Sequence, residues 1–175
     1  MQKPCIMPFK GKTPKLGKNV FVAPTASIIG DVEIGDDTNI WFGVTIRGDV
    51  NTVRIGSRTN IQDGTVCHVT RGTGPLTIGS NVTIGHSAVI HACTLEDDSF
   101  VGMGAIVMDE AVVESGAMVA AGALIAPGKR VKKGEVYAGV PGKFFRPMTE
   151  AEIKYIPWSA THYVELAHEY LEMNK

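Results

Sequence analysis

A hydrophobic residue returns at every sixth position through most of this chain, and no other feature restricts its fold so strongly. One series runs Val22, Ile28, Ile34, Ile40, Ile46; a second Ile55, Ile61, Cys67; a third Ile78, Ile84, Ile90. Leu95, Val101, Val107, Val113, Val119, Ile125, Val131 and Tyr137 complete the set. Four residues after most anchors stands a small or β-branched residue, as at Ala26, Val32, Thr38, Val44, Thr59, Thr65, Val82, Ala88, Ala105, Ala111, Ala117 and Ala123. Self-similarity at this period marks a parallel β-helix of hexapeptides. Each hexapeptide supplies a short strand and a turn, with the anchor and the small residue pointing inward. Glycines directly after anchors, as in Ile34-Gly35 and Ile84-Gly85, suit the turns. Three hexapeptides, about eighteen residues, close one triangular coil, and coils stack at about the 4.8 Å spacing of paired strands.

The expected organisation is a single all-β domain over 1–175, with the β-helix at 20–142 and a helical segment at 148–175. In that segment Thr149 and Glu152 form a capping box. Pro157 is expected to interrupt the helix so begun, and Ser159 to cap a second one. Tyr163, Leu166, Ala167, Tyr170 and Leu171 then make an apolar stripe at helical spacing, expected to pack along the β-helix or a neighbouring subunit.

Composition removes several classes of function. A net charge of −1 offers no electrostatic footprint for nucleic acid or an anionic membrane. No apolar run is long enough to span a bilayer, and the lysines of the first eighteen residues precede no secretory core. Cys5, Cys67 and Cys93 are an odd number at unpatterned spacing, which points to a reduced, cytoplasmic setting.

The rhythm breaks in three places: RGDVNTVR lies between Ile46 and Ile55, HVTRGTGPLT between Cys67 and Ile78, and the step from Ile90 to Leu95 is five. All three fall in or beside the section carrying His68, His86 and His91. A surface imidazole donating to a loop accounts for any one of them. Three together, in a repeat with no use for imidazole, are better explained by a metal. His68 and His86 stand eighteen apart, so one coil should put them on the same face, with His91 in the next hexapeptide. One chain then struggles to bring three nitrogens to one ion, and a symmetric trimer could complete the site from two subunits. Spacing leaves open which histidine crosses the interface. His162 and His168 read as solvated or packing residues.

Arg47-Gly48-Asp49, then Asn60-Ile61-Gln62-Asp63-Gly64, then His68, His86 and His91 closely resemble the γ-class carbonic anhydrases, nearer to their shorter bacterial relatives. The resemblance implies a left-handed β-helix and a homotrimer. It also implies a zinc ion, with iron(II) or cobalt(II) as alternatives, held by His68 and His91 of one subunit and His86 of the next. Three neutral ligands leave a position for water, whose acidity the ion raises enough to furnish hydroxide for the reversible hydration of carbon dioxide to bicarbonate. In this reading Gln62 orients hydroxide or substrate, Arg47 and Asp49 pair across or beside the interface, Asp63 supports Arg47 or the loop, and Tyr163 corresponds to a family tyrosine.

Two departures bear on turnover. Val50 stands where the family has a glutamate, and Arg71-Gly72-Thr73-Gly74-Pro75 replaces an acidic loop, so the usual proton shuttle is missing. Ala138-Gly139-Val140-Pro141-Gly142-Lys143 with Arg146 resembles the end of hexapeptide acyltransferases that use coenzyme A. Acyl transfer, hydrolysis of an acyl-CoA thioester, and a catalytically silent trimeric scaffold retaining a structural metal are therefore the competing readings.

Overall fold

The anchors form the inner wall of a three-faced parallel solenoid, seen in a computed structural model that describes residues 3–173. The first face stacks the leading halves of strands Ser27–Ile34 and Thr45–Ile55, then Val66–His68, Val89–His91, Ile106–Val107 and Leu124–Ile125. The second stacks Lys15–Leu16, the trailing halves of the same two long strands, then Leu76–Ile78, Thr94–Leu95, Val112–Val113 and Arg130–Val131. Phe21–Val22, Asn39–Ile40, Asn60–Ile61, Thr83–Ile84, Phe100–Val101, Met118–Val119 and Glu135–Ala138 build the third. Anchors Ile28, Ile46, Cys67, Ile90, Val107 and Ile125 are wholly buried on one wall, and Ile40, Ile61, Ile84, Val101 and Val119 on another. The twelve small residues line the inside as well. Among them Thr38, Thr59 and Thr65 donate their hydroxyls to the carbonyls of Gly56, Gly79 and Gly85 at 2.7, 2.8 and 3.2 Å, so each of these three buried hydroxyls is satisfied.

The solenoid exceeds the expected 20–142. Cys5–Met7 and Lys15–Leu16 pair onto Ser27–Ile34, and Lys143–Pro147 folds back antiparallel on Glu135–Ala138. Positions 1, 2, 174 and 175 of the expected domain lie outside the described residues. RGDVNTVR is no loop: it lies inside one eleven-residue strand, Thr45–Ile55, that carries two faces round a corner. Gly48 makes this possible, since a Cβ there would meet the Asp31 carbonyl oxygen at 2.6 Å. Arg47 and Asp49 owe their positions on either side of the bend to it.

The C-terminal segment is one helix, α1 (Glu150–Met173), with Pro157 inside it. The expected break does not occur because packing outweighs one lost backbone bond. Ile156, Ser159, Ala160, Val164 and Ala167 are all buried against the third face. Ser159 caps nothing; its Oγ lies 3.0 Å from Thr83 Oγ1. The capping box is present, with Thr149 N donating to Glu152 Oε2 at 2.8 Å and Glu152 N to Thr149 Oγ1 at 3.3 Å. The expected stripe packs on the chain's own solenoid, where Tyr163, Leu166, Tyr170 and Leu171 surround Phe21, Ala23, Trp41 and Ala167. Among the described residues no helix is long and apolar enough to cross a membrane.

Candidate metal centre

Strands Val66–His68 and Val89–His91 pair in parallel with His68 directly opposite His91. The eighteen-residue spacing therefore misplaces the histidines. The coil from Cys67 to Ile90 carries the extra 69–75 loop, so twenty-three residues separate partners on this face and the stacked pair is His68 with His91. His86 sits elsewhere, at the corner between the third and first faces, where Ser87 N bonds Asp63 O at 2.8 Å and Gly104 N bonds His86 O at 2.7 Å.

Each imidazole is backed by a carboxylate. His68 Nε2 lies 3.1 Å from Asp49 Oδ1, His91 Nδ1 lies 2.9 Å from Asp109 Oδ2, and His86 Nδ1 lies 2.9 Å from Asp63 Oδ2. Partial burial pushes the Asp49 carboxyl up, but donors from Arg47 and His68 outweigh it and hold the group below the usual carboxylate range. The Thr70 hydroxyl, against some burial and with help from His91, does the same for Asp109. Ionised carboxylates only accept, so the proton of neutral His68 belongs on Nε2 and that of neutral His91 on Nδ1.

The remaining nitrogens, His68 Nδ1 and His91 Nε2, then face each other across 3.2 Å with a lone pair each. Two lone pairs at that distance repel unless a cation lies between them. A tetrahedral zinc ion about 2.0–2.1 Å from two nitrogens would hold them about 3.3–3.4 Å apart, so this pair fits such an ion closely. Carboxylates on the far nitrogens are the usual support for metal-ligating imidazoles. Among the described residues no three ligating side chains converge within one chain.

The other expected residues divide into two groups about one corner. Arg47 lies beside His68 and donates to Asp49 Oδ2 within the same chain. Gln62, Asp63 and Tyr163 go with His86. Gln62 is buried on the third face, its Nε2 donating to Asn60 Oδ1 at 3.0 Å, in a polar ladder that continues from Asn60 Nδ2 to Thr83 Oγ1 at 2.8 Å. Asp63, expected beside Arg47 or the loop, instead takes His86. Tyr163 packs edge-on against Trp41 at 5.6 Å, and burial, the neighbouring Tyr155 and Asp63 raise its hydroxyl pKa. Val50 packs against the core.

Sequence reasoning missed Asp109, Thr70 and Asn51. Thr70 Oγ1 donates to Asp109 Oδ1, and Asn51 Nδ2 donates to Thr70 O at 3.1 Å, pinning the 69–75 loop beside the histidines. A signal existed for Asp109: it stands one regular coil, eighteen residues, beyond His91.

A family model described as bacterial transferase hexapeptide (six repeats) matches residues 13–48. The chain is 54% identical over 161 residues to gamma carbonic anhydrase 2, mitochondrial, of Arabidopsis thaliana, covering 89% of this chain but 58% of that protein. It thus spans under two thirds of that plant relative. It is 50% identical to a probable carbonic anhydrase of Methanocaldococcus jannaschii over 87% of this chain and 95% of that protein. A solved hexapeptide transferase family protein from Anaplasma phagocytophilum superposes with a TM-score of 0.92 at 51% identity, over 95% of this chain and 98% of that one.

Proposed function

Because the chain belongs to the γ-class carbonic anhydrase family, we propose that it hydrates carbon dioxide reversibly at a divalent metal shared between subunits of a homotrimer. One observation carries this reading: His68 Nδ1 and His91 Nε2 face each other at 3.2 Å, each ring held from behind by a carboxylate. His68 and His91 would supply two ligands and His86 of the partner subunit the third, a set of neutral nitrogens suited to zinc with a position left open. When bound, the ion supplies the Lewis acidity that makes water acidic enough, with a pKa of about 7, to furnish a nucleophile at neutral pH.

Supporting the trimer, an apolar strip runs along the first face beside the histidines. Val66, Val89, Ile106 and Leu124 stack coil upon coil on its outer side, and Val66 is 41% exposed. Met103, next to the His86 corner in the following coil, is 59% exposed. Burying this strip against a second copy would bring the His86 corner of one chain towards the His68–His91 pair of another.

Hydration joins water oxygen to the carbon of carbon dioxide, yields bicarbonate and releases one proton. Arg47 neutralises and orients Asp49, which keeps the His68 ring in place. Gln62 of the partner subunit orients the reactants through its amide. With Val50 in place of an acid and a loop of Arg71 to Pro75, the proton passes to bulk buffer.

The likeness of the tail to acyltransferases has a structural explanation. Leu124 N bonds Gly139 O at 3.0 Å and Gly142 N bonds Leu124 O at 2.7 Å, so residues 139–142 close the end of the solenoid. That need is common to the fold whatever its chemistry.

The test is carbon dioxide hydration and metal content measured together on wild type and His86→Ala. Stoichiometric metal with hydration, both lost or greatly reduced in the variant, is the expected result. Stoichiometric metal without hydration would sink the enzymatic reading and leave a structural metal.

A further inference from the structure

We infer that Asp109 is the positioning residue for His91, fixing its ring so that Nε2 is presented to a metal, and that the same carboxylate ties down the 69–75 loop. The inference rests on the metal reading above for its purpose and on separate contacts for its geometry. Asp109 follows strand Ile106–Val107, one coil beyond His91. Its Oδ2 lies 2.9 Å from His91 Nδ1, and its Oδ1 accepts from Thr70 Oγ1. Both carboxylate oxygens are therefore engaged, by groups 18 and 39 residues away in sequence. The Asp109 main chain is held as well, because Gly128 N donates to its carbonyl oxygen at 2.9 Å.

Thr70 is equally constrained. Its amide bonds Gly74 O at 2.9 Å, Gly74 N returns a bond to Thr70 O at 3.3 Å, and Asn51 reaches the same carbonyl. Rotating the Asp109 side chain would break the His91 contact and release the loop together. An acceptor without protons is what the position requires. It forces the His91 proton onto Nδ1, whereas a neutral amide can turn either end to the ring. Asp49 backs His68 in the same way but shares its charge with Arg47, so Asp109 is the carboxylate that links a ligand to the loop.

The test has two arms. In metal-free protein carrying 15N-labelled histidine, at alkaline pH, His91 should show the Nδ1–H tautomer in wild type and lose it in Asp109→Ala. In competition with a chromophoric chelator, zinc or cobalt(II) affinity should fall roughly 10- to 100-fold in Asp109→Ala, the usual cost of removing an outer partner. Asp109→Asn should fall in between, and Thr70→Val should lose less than either, because it leaves the His91 bond in place. Circular dichroism and size verify folding, and Asp109→Asn carries both arms if the alanine variant does not fold. A folded variant with unchanged tautomer and affinity would overturn the inference. So would Thr70→Val matching Asp109→Ala, which would assign the effect to the loop. Absence of metal binding in wild type would defeat the metal reading while the tautomer arm still decides the role of Asp109.

Discussion

His68 and His91 stand in register on adjacent coils, their facing nitrogens 3.2 Å apart. His86 lies round a corner with its own carboxylate, Asp63. One chain thus holds these candidate ligands in two separate groups, and the separation can be tested directly.

Neither His86→Ala nor His91→Ala should hydrate carbon dioxide alone. Unfolding and refolding the two together should restore activity, because a trimer interface that takes His68 and His91 from one variant and His86 from the other is intact. Random mixing in a cyclic trimer leaves roughly a quarter of the sites whole. Recovery of no activity from well-folded mixed trimers would mean that all three histidines act within one chain.

The apolar strip predicts the oligomeric state. Val66→Asp or Met103→Asp would place a charge in the proposed interface, where desolvating it unpaired is costly. Either change should shift the protein from trimer to monomer by sedimentation and abolish hydration while leaving circular dichroism unchanged. A trimer that persists in both variants would place the interface elsewhere.

Removing metal should abolish activity reversibly, and buffer should govern the active form. With the acidic shuttle positions taken by Val50 and by Arg71 to Pro75, turnover should climb with imidazole concentration at constant pH and ionic strength before levelling off. Turnover independent of buffer would reveal an internal proton carrier.

Acid should loosen the helix start. The Arg146 guanidinium, with the Thr149 amide, holds Glu152 down at about 2. A carboxyl depressed in the folded state adds stability that is complete above its unfolded pKa and lost as pH falls through the folded one. Wild type should therefore lose this contribution between about pH 4.5 and 2. Glu152→Gln should lack it at neutral pH and show a shallower acid-unfolding curve. Thr149→Ala, which removes the other half of the box, should cost about 1 kcal/mol in denaturant unfolding.

The thiols should divide sharply. Cys5 is exposed, whereas burial pushes the Cys67 thiol up to about 12 and that of Cys93 higher still. Ellman's reagent at mildly alkaline pH should titrate one thiol in the native protein and all three after denaturation. Rapid reaction of more than one native thiol would show that the solenoid opens near its middle coils.

Much of this molecule was legible in residue order because a solenoid makes position nearly local. An anchor such as Ile84 contacts the coils before and after it, so the six-residue period states both the strand and the direction of its side chain. The capping box at Thr149 and Glu152 was equally readable, being a contact over three residues. Pro157 was misleading because the backbone rule that should end the helix competes with burial of Ile156, Ser159 and Ala160, and burial depends on the third face beneath.

The sequence alone determined the parallel β-helix, its inward residues, the capped C-terminal segment and the set of candidate side chains. Tertiary structure alone decided how those side chains meet. The 69–75 loop lengthens the coil between the histidines, so His68 stacks on His91 and not on His86. Asp109 then arrives behind His91, and Asp63 behind His86. The physical reason is that the hexapeptide rule fixes which way a side chain points, while its neighbour on the next coil depends on the exact length of chain between them.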